Sequence, residues 1–365
     1  MADIAGVSVD ASAVIQQGKD LAVAKISLPP LQDHQVYVRV DFAAFNPTDR
    51  LGFDLQAFGD GAVLGCDFVG TVTHTHQSVN TLEVGDKIAA LVWGVLEHIR
   101  EQRHSIRPFK QDSDNFRTYC IADERISFKL PATVESREAC AIPLAINTAY
   151  LALFSEVSLN LQKEAPSNDC HILIWGGSSI VGYFAIQLAR LHGYVVTTTC
   201  STQNIEYLKK AGATHVFDYN DPDVVAKIRS LLPSFSHAFD TIGSVDSSSN
   251  AAAALNEGGV FCTVRPGKAN TQGIPKSIKV TDVFVFTAFP TPHTYRGAVH
   301  WPVIWDNHYL SAELYKKLPE LLSKGLIVPP RVRNMGRLSP ATLTEAMELS
   351  RAGKVSAQKL YFEVS

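Results

Sequence analysis

What this 365-residue sequence lacks narrows its function first. It has no surplus of basic residues: 33 Lys and Arg stand against 36 Asp and Glu, the formal net charge is -3, and only 19% of the chain is charged. A polyanion needs a positive face to bind, so nucleic acid is not an expected partner. No apolar run approaches the roughly twenty residues of a membrane span, and residues 1–14 carry no basic stretch followed by an apolar one. The expectation is a cytoplasmic protein with no membrane partner. The six cysteines, Cys66, Cys120, Cys140, Cys170, Cys200 and Cys262, lie far apart, without the spacing of a disulfide framework or a zinc knuckle. They read as reduced, mostly buried small residues. The Asn-x-Thr match at Asn46 has Pro47 in its middle and is excluded as a glycosylation acceptor.

What is present suffices for two domains, each with its own core, and shows two rhythms. Up to about residue 145, short alternating apolar runs at 36–40, 68–72, 87–93 and 116–122 are cut by turn residues, the mark of a β-rich domain. Gly85-Asp86 supplies a tight turn directly before one of these runs. Residues 98–115 are charged, have little periodicity and read as a surface excursion, with His98 and His104 solvated rather than ligating a metal. From about residue 146, apolar runs alternate with helical patterns, as in a parallel sheet with crossover helices. Strands are expected at 171–175, 194–199, 215–217, 237–241 and 260–264, and helices at 180–192, 204–211 and 250–255. That makes a five-stranded, doubly wound α/β domain.

After residue 284 the pattern turns irregular and aromatic, with Phe286, Phe289, Tyr295, Trp301 and Trp305. Such a stretch is either a lid over an apolar pocket or a hydrophobic brace between domains. Helices at 312–324 and 339–353 and a strand at 359–364 are expected to return to the first domain. The predicted division is 1–146, 147–305 and 306–365.

The strand, then Gly176-Gly177-Ser178-Ser179-Ile180-Val181-Gly182, then the helix, is where a doubly wound fold binds pyrophosphate. Glycines admit the ligand, and the helix N-terminus supplies amide donors and a partial positive charge. Against Gly-x-Gly-x-x-Gly, Gly177 and Gly182 match while Ser179 replaces the middle glycine. The next strand ends in Thr199-Cys200-Ser201-Thr202, without the carboxylate that selects an unphosphorylated ribose. Ser201, Thr202 and Asn204, with Tyr219 and Lys209 nearby, could donate to a 2′-phosphate, which points to NADPH. Either hydroxyl could instead cap the following helix.

With that domain placed, Asn46-Pro47-Thr48-Asp49, then Gly65-Cys66-Asp67-Phe68-Val69-Gly70, then Gly85-Asp86-Lys87-Ile88 resemble the medium-chain dehydrogenase/reductase superfamily over nearly the whole chain. The resemblance implies a Rossmann domain beside a GroES-like catalytic domain. Within the superfamily the sequence is similar to the zinc-independent quinone and enoyl reductases, particularly fungal trans-acting enoyl reductases of polyketide biosynthesis, of the lovastatin type. The Thr-Cys-Ser segment, Phe217-Asp218-Tyr219 and Ser356-Ala357-Gln358-Lys359-Leu360 carry this closer likeness. Zinc members need a Cys where Asn46 stands and a His where Cys66 stands, so no metal is expected.

The resemblance implies hydride delivery from NADPH to an activated alkene, with a hydrophobic small molecule or acyl group as substrate and an acyl carrier domain of a polyketide synthase as a candidate partner. It implies that Asn46, Pro47, Thr48 and Asp49 line the nicotinamide side, that Thr148 lies near the cofactor, and that Phe284, Val285, Phe286, Thr287 and Ala288 flank the substrate. Cofactor contacts are also implied at Thr263, Val264, Ser356 and Ala357. The Asn-Pro-Thr-Asp run read alone is also compatible with a simple Asx turn. One departure stands out. Lovastatin-type reductases carry a lysine two positions beyond the Asp as donor to the enolate; here Arg50 and Leu51 follow Asp49, and Arg50 is the substitute to test. Two alternatives remain: a related reductase or isomerase acting on a free enone or quinone, and a noncatalytic NADPH-binding partner protein.

Overall fold

The computed structural model describes residues 9–93, 107–108, 118–165, 170–231, 235–295 and 299–364. The chain forms two compact units, one of residues 1–144, 315–323 and 329–365, the other of 145–314 and 324–328.

The first unit is built on sheets. Strands β1 (Val9–Gln17) and β2 (Asp20–Leu28) form a hairpin whose two-residue turn places Gly18 at φ 60°, which a side chain would disfavour. A two-residue strand, β6 (Arg107–Pro108), extends this sheet. The larger sheet runs β17 (Val332–Arg337), β18 (Lys359–Glu363), β3 (Gln35–Ala44), β4 (Asp67–Thr75), β5 (Lys87–Leu91), β8 (Ser127–Lys129), with β7 (Tyr119–Asp123) also on β3. Val36, Val38, Val40, Phe68, Val72 and Ile88 bury one face together. The expected strands at 36–40 and 68–72 fall inside β3 and β4. That at 116–122 becomes β7, and the excursion at 98–115, with His98 and His104, lies outside the described residues apart from β6.

The second unit holds a parallel sheet in the order β11 (His215–Asp218), β10 (Val195–Cys200), β9 (His171–Trp175), β12 (His237–Asp240), β13 (Val260–Thr263), β14 (Lys279–Asp282). Its core gathers Leu173, Trp175, Phe235, Phe261, Ile228 and Leu255. The sequence suggested five strands. The sixth, β14, was hidden because four residues with two polar ends carry almost no periodic signal. A hairpin of β15 (His293–Tyr295) and β16 (Val299–Trp301) follows.

Two helices are longer than their apolar pattern suggests. Helix Val245–Ala253 starts five residues before the expected 250, where Ser244 Oγ accepts the Ser247 amide at 3.1 Å as an N-cap. Helix Trp305–Ser323 runs through Pro319, which cannot donate to the carbonyl four residues back. It holds because Ser311, Leu314, Tyr315, Leu318 and Leu322 form a buried stripe at helical spacing. No helix among the described residues is long and apolar enough to cross a membrane.

Candidate functional site

In the parallel sheet all six strands end on one edge. The chain moves outward from β9 to β10 and β11, then crosses back to β12 on the far side of β9. Such sheets bind ligands in the crevice at that reversal, and the turn after β9 opens there. A Cβ on Gly177 would stand 2.2 Å from Thr198 Oγ1, and one on Gly182 would stand 2.5 Å from the Gly176 carbonyl oxygen. Only glycine lets helix Ile180–Leu191 pack this closely on the sheet. Ser179, in the middle-glycine position, is the helix N-cap: its Oγ accepts the Gly182 amide at 2.9 Å and donates to Thr241 Oγ1 at 2.8 Å. The missing glycine is therefore a cap and not a defect. The Ile180 and Val181 amides belong to the first turn, which has no intrahelical acceptors and carries the positive end of the helix dipole. These residues fit a dinucleotide pyrophosphate.

Across the reversal, the Asp240 carboxylate organises the turn after β12. It accepts the amides of Ile242 (2.9 Å) and Gly243 (3.1 Å) and the hydroxyls of Ser247 (2.8 Å) and Ser248 (2.9 Å). Burial raises its pKa, against the pull of these four donors.

The same edge carries the other expected nucleotide contacts of this unit. Ser201, Thr202 and Asn204 follow β10, Tyr219 follows β11 and is half exposed, and Thr263 and Val264 lie at the end of β13. Neither Ser201 nor Asn204 makes a side-chain cap. Asn204 Nδ2 donates to Ser201 Oγ at 3.1 Å, which leaves the Ser201 hydroxyl hydrogen to donate elsewhere. The Thr202 hydroxyl instead donates to Asp218, and Lys209 is paired with Glu206 at 2.8 Å. Asp218, part of the Phe217-Asp218-Tyr219 likeness, ends a different strand and was given no role beside Thr202, yet it sits in register with Cys200. Hydrogen bonds from Thr202 and Asn220 hold its carboxyl below the usual range.

Thr148 is buried in helix Pro143–Phe154, and the side-chain amide of its neighbour Asn147, fully buried, has no hydrogen-bond partner among the described residues at either atom. Phe284, Val285, Phe286, Thr287 and Ala288 are all buried too. The Phe284 ring stacks on Trp301 with centroids 4.1 Å apart, and Asn307 Nδ2 donates to Thr287 Oγ1 at 2.8 Å.

In the first unit, Asn46 caps helix Pro47–Asp54, with Pro47 and Thr48 in its first turn. The Asn46 amide donates to Asp49 Oδ2 at 2.7 Å, so the run is half of a capping box. Asp49 is 4% exposed, and the Cys66 thiol approaches its Oδ1 at 3.8 Å. Burial pushes the Asp49 carboxyl up to about 7, with the Asp67 charge adding to the rise and the Asn46 amide and Lys359 opposing it. Arg50 lies 3.6 Å from Asp54. Ala357, at φ 52°, and Ser356 lead into β18.

Lys359, two residues further, is the member that sequence reasoning missed. Its ammonium donates to Asn46 Oδ1 and, at 3.0 Å, to Asp67 Oδ2. Asp67 also accepts Asn46 Nδ2 at 2.9 Å and the Leu144 amide at 2.6 Å. The available signal was Asp67 within Gly-Cys-Asp and a lysine directly before the apolar run Leu360, Tyr361 and Phe362. Asp49 and Asp67 also line a cavity of about 130 Å³ whose remaining walls, including Val14, Phe45, Phe68 and Phe362, are mostly apolar.

Zinc does not fit here. Asn46 and Asp67 already share a lysine ammonium through the oxygens a dication would take, Cys66 faces a carboxylate, and among the described residues no group of three or more His, Cys, Asp or Glu is placed to hold a metal ion.

Fold and site define an oxidoreductase of the medium-chain type with a nicotinamide-nucleotide domain. The family model for the alcohol dehydrogenase GroES-like domain matches residues 32–132, and that for zinc-binding dehydrogenases matches residues 181–301. Trans-enoyl reductase ACTTS2 of Alternaria alternata is 30% identical over 357 residues, covering 96% of this chain and 98% of that protein. The enoyl reductase component lovC of the lovastatin nonaketide synthase, from Aspergillus terreus, is 29% identical over 344 residues, covering 91% of this chain and 90% of that protein. The chain belongs to the medium-chain dehydrogenase/reductase superfamily and, within it, to the family of fungal trans-enoyl reductases. A putative zinc-dependent alcohol dehydrogenase from Rhizobium etli CFN 42 shares the fold, with a TM-score of 0.73 at 23% identity over 97% of this chain and 98% of that one. So does the CurK enoyl reductase, with a TM-score of 0.69 at 15% identity and the same coverage of both chains.

Proposed function

We propose that the chain reduces the activated carbon–carbon double bond of a polyketide-type enoyl thioester, with NADPH as reductant and no metal. The observation that carries this reading is the Lys359 ammonium on the oxygens of Asn46 and Asp67. With those oxygens taken by a lysine, the substrate must accept hydride unaided by a Lewis acid. A double bond conjugated to a thioester carbonyl does so, because the carbonyl oxygen receives the electron pair as hydride reaches the β carbon. NADPH, when bound, supplies that hydride. The chain's own groups do the rest. The 176–182 turn holds the pyrophosphate, and Ser201 and Asn204 beside Tyr219 meet the 2′-phosphate. Pro47, Thr48, Thr263, Val264, Ser356 and Ala357 complete the nucleotide contacts. Asn46, Asp49, Arg50 and Thr148 serve the reacting end, and residues 284–288 flank the substrate. The relatives named trans-enoyl reductases support the substrate class and a polyketide synthase carrier domain as partner.

The purified chain is expected to oxidise NADPH in the presence of an α,β-unsaturated thioester, unaffected by a chelator, more slowly with NADH, and faster with a carrier-bound than a free thioester. Preference for NADH overturns the cofactor assignment. Equal rates on free and carrier-bound substrate favour a reductase or isomerase of released small molecules. A noncatalytic nucleotide-binding role is favoured by Leu51 in place of the family lysine and by Arg50 resting on Asp54. Tight NADPH binding with no turnover on any enone is its signature.

A further inference from the structure

The buried ammonium of Lys359 is placed by sheet register. Tyr361 pairs with Ala44 and Phe362 with Ala43 across β18 and β3, so the ladder continued by two places sets Lys359 opposite Asn46. Phe45 donates its amide to the Leu360 carbonyl at 2.9 Å, which holds that register. On the other flank of β3, Ala44 pairs with Asp67. Three neighbouring strands thus deliver a cation, a carboxamide and a carboxylate to one point, with the Lys359 and Asp67 side chains 4% and 0% exposed.

These neighbours dictate the Asn46 amide. A cation can approach only its oxygen and a carboxylate only its nitrogen, so Oδ1 faces Lys359 and Nδ2 faces Asp67. One Nδ2 hydrogen is used by Asp67 and the other remains. An ammonium on the carbonyl draws electron density out of the carboxamide and makes that remaining N–H a stronger donor.

We propose that Lys359 is the internal cation of this site. It takes the place of the divalent metal of zinc-dependent relatives, locks the Asn46 carboxamide in one orientation, and acts as a positioning residue for the chemistry Asn46 serves. The second part rests on the reductase reading above; the first does not.

The test uses the full chain, Lys359→Arg, and the double variant Lys359→Met/Asp67→Asn, which removes the Lys359–Asp67 ion pair as a unit. Cobalt(II) added anaerobically to the parent is expected to give no thiolate-to-cobalt absorption. Such a band in the parent that is lost in Cys66→Ser shows a metal seated at this site and overturns the inference without any turnover being measured. With NADPH and a crotonyl thioester, the double variant is expected to keep its nucleotide KM within about threefold while kcat falls about 10- to 100-fold, the range seen when a supporting residue behind a reacting group is removed. Lys359→Arg should recover at least about a tenth of the parental kcat, as a cation of different reach. A folded double variant with parental kcat reduces Lys359 to a structural ion pair and overturns the positioning role. A parent that reduces no enoyl thioester sinks the reductase reading alone, while the cobalt titration still decides the cation.

Discussion

Lys359 and Asp67, 292 positions apart, meet at 3.0 Å with both side chains buried. Charges this dry cost little only while both are present, because either one alone faces a low-dielectric interior. Lys359→Met by itself is therefore expected to lose about 3–5 kcal/mol in urea unfolding. Adding Asp67→Asn should restore most of that loss. A single variant as stable as the parent would contradict the pairing.

The nucleotide turn is expected to be least forgiving at Gly182. A methyl group there meets the Gly176 carbonyl oxygen at 2.5 Å, and backbone cannot swing aside as a side chain can. Gly182→Ala should cost about 1–3 kcal/mol from overpacking and weaken nucleotide binding by tenfold or so. Ser179→Ala removes the cap on the Gly182 amide and should cost about 1 kcal/mol. Thermal unfolding and nucleotide fluorescence titration on the same samples check both.

Asp218 holds the hydroxyl of Thr202, one of the groups that the NADPH reading sets near a 2′-phosphate. Asp218→Ala removes a negative charge and the acceptor that holds that hydroxyl, so the ratio of NADPH to NADH affinity should rise several-fold. Ser201→Ala should lower the same ratio. Unchanged ratios in both variants would place the nucleotide's discriminating contacts elsewhere.

Asp49 sets a pH slope in stability. Its carboxyl is raised from 3.8 to about 7 in the folded chain, so the native state holds a proton that the unfolded state has lost between those values. The stabilisation is complete below about pH 4 and is lost as pH climbs through about 7, to a limit of roughly 4 kcal/mol. Asp49→Asn, which keeps an acceptor for the Asn46 amide, is expected to flatten the stability curve across that interval. An identical slope in parent and variant, read by denaturant melts at several pH values, would show that Asp49 does not carry the proton.

Much of this architecture is written locally. Period-two runs announced β3 and β4, and period-3.6 runs after apolar strands announced the parallel sheet. The turn at 176–182 could be read because glycine is required wherever backbone and helix approach so closely. What escaped had weak local signals. β14 is four residues long with polar ends. Helix Trp305–Ser323 begins well before its strongest apolar stretch and carries a proline that suggests an end. Ser179 looked like a damaged glycine position until its hydroxyl was seen to cap the helix.

The chain's sequence determined by itself that a glycine-rich turn joins the first strand of a parallel sheet to its helix, because that depends on residues a few positions apart; the Asn46-Pro47-Thr48-Asp49 run, compatible by itself with a simple Asx turn, opens a short helix in the structure. Tertiary structure alone decided which distant groups complete them. Lys359 reaches Asn46 across 313 positions, and Asp218 comes beside Thr202 across a strand pair. Hydrogen-bonded register between separate strands makes those meetings, and no local periodicity encodes register.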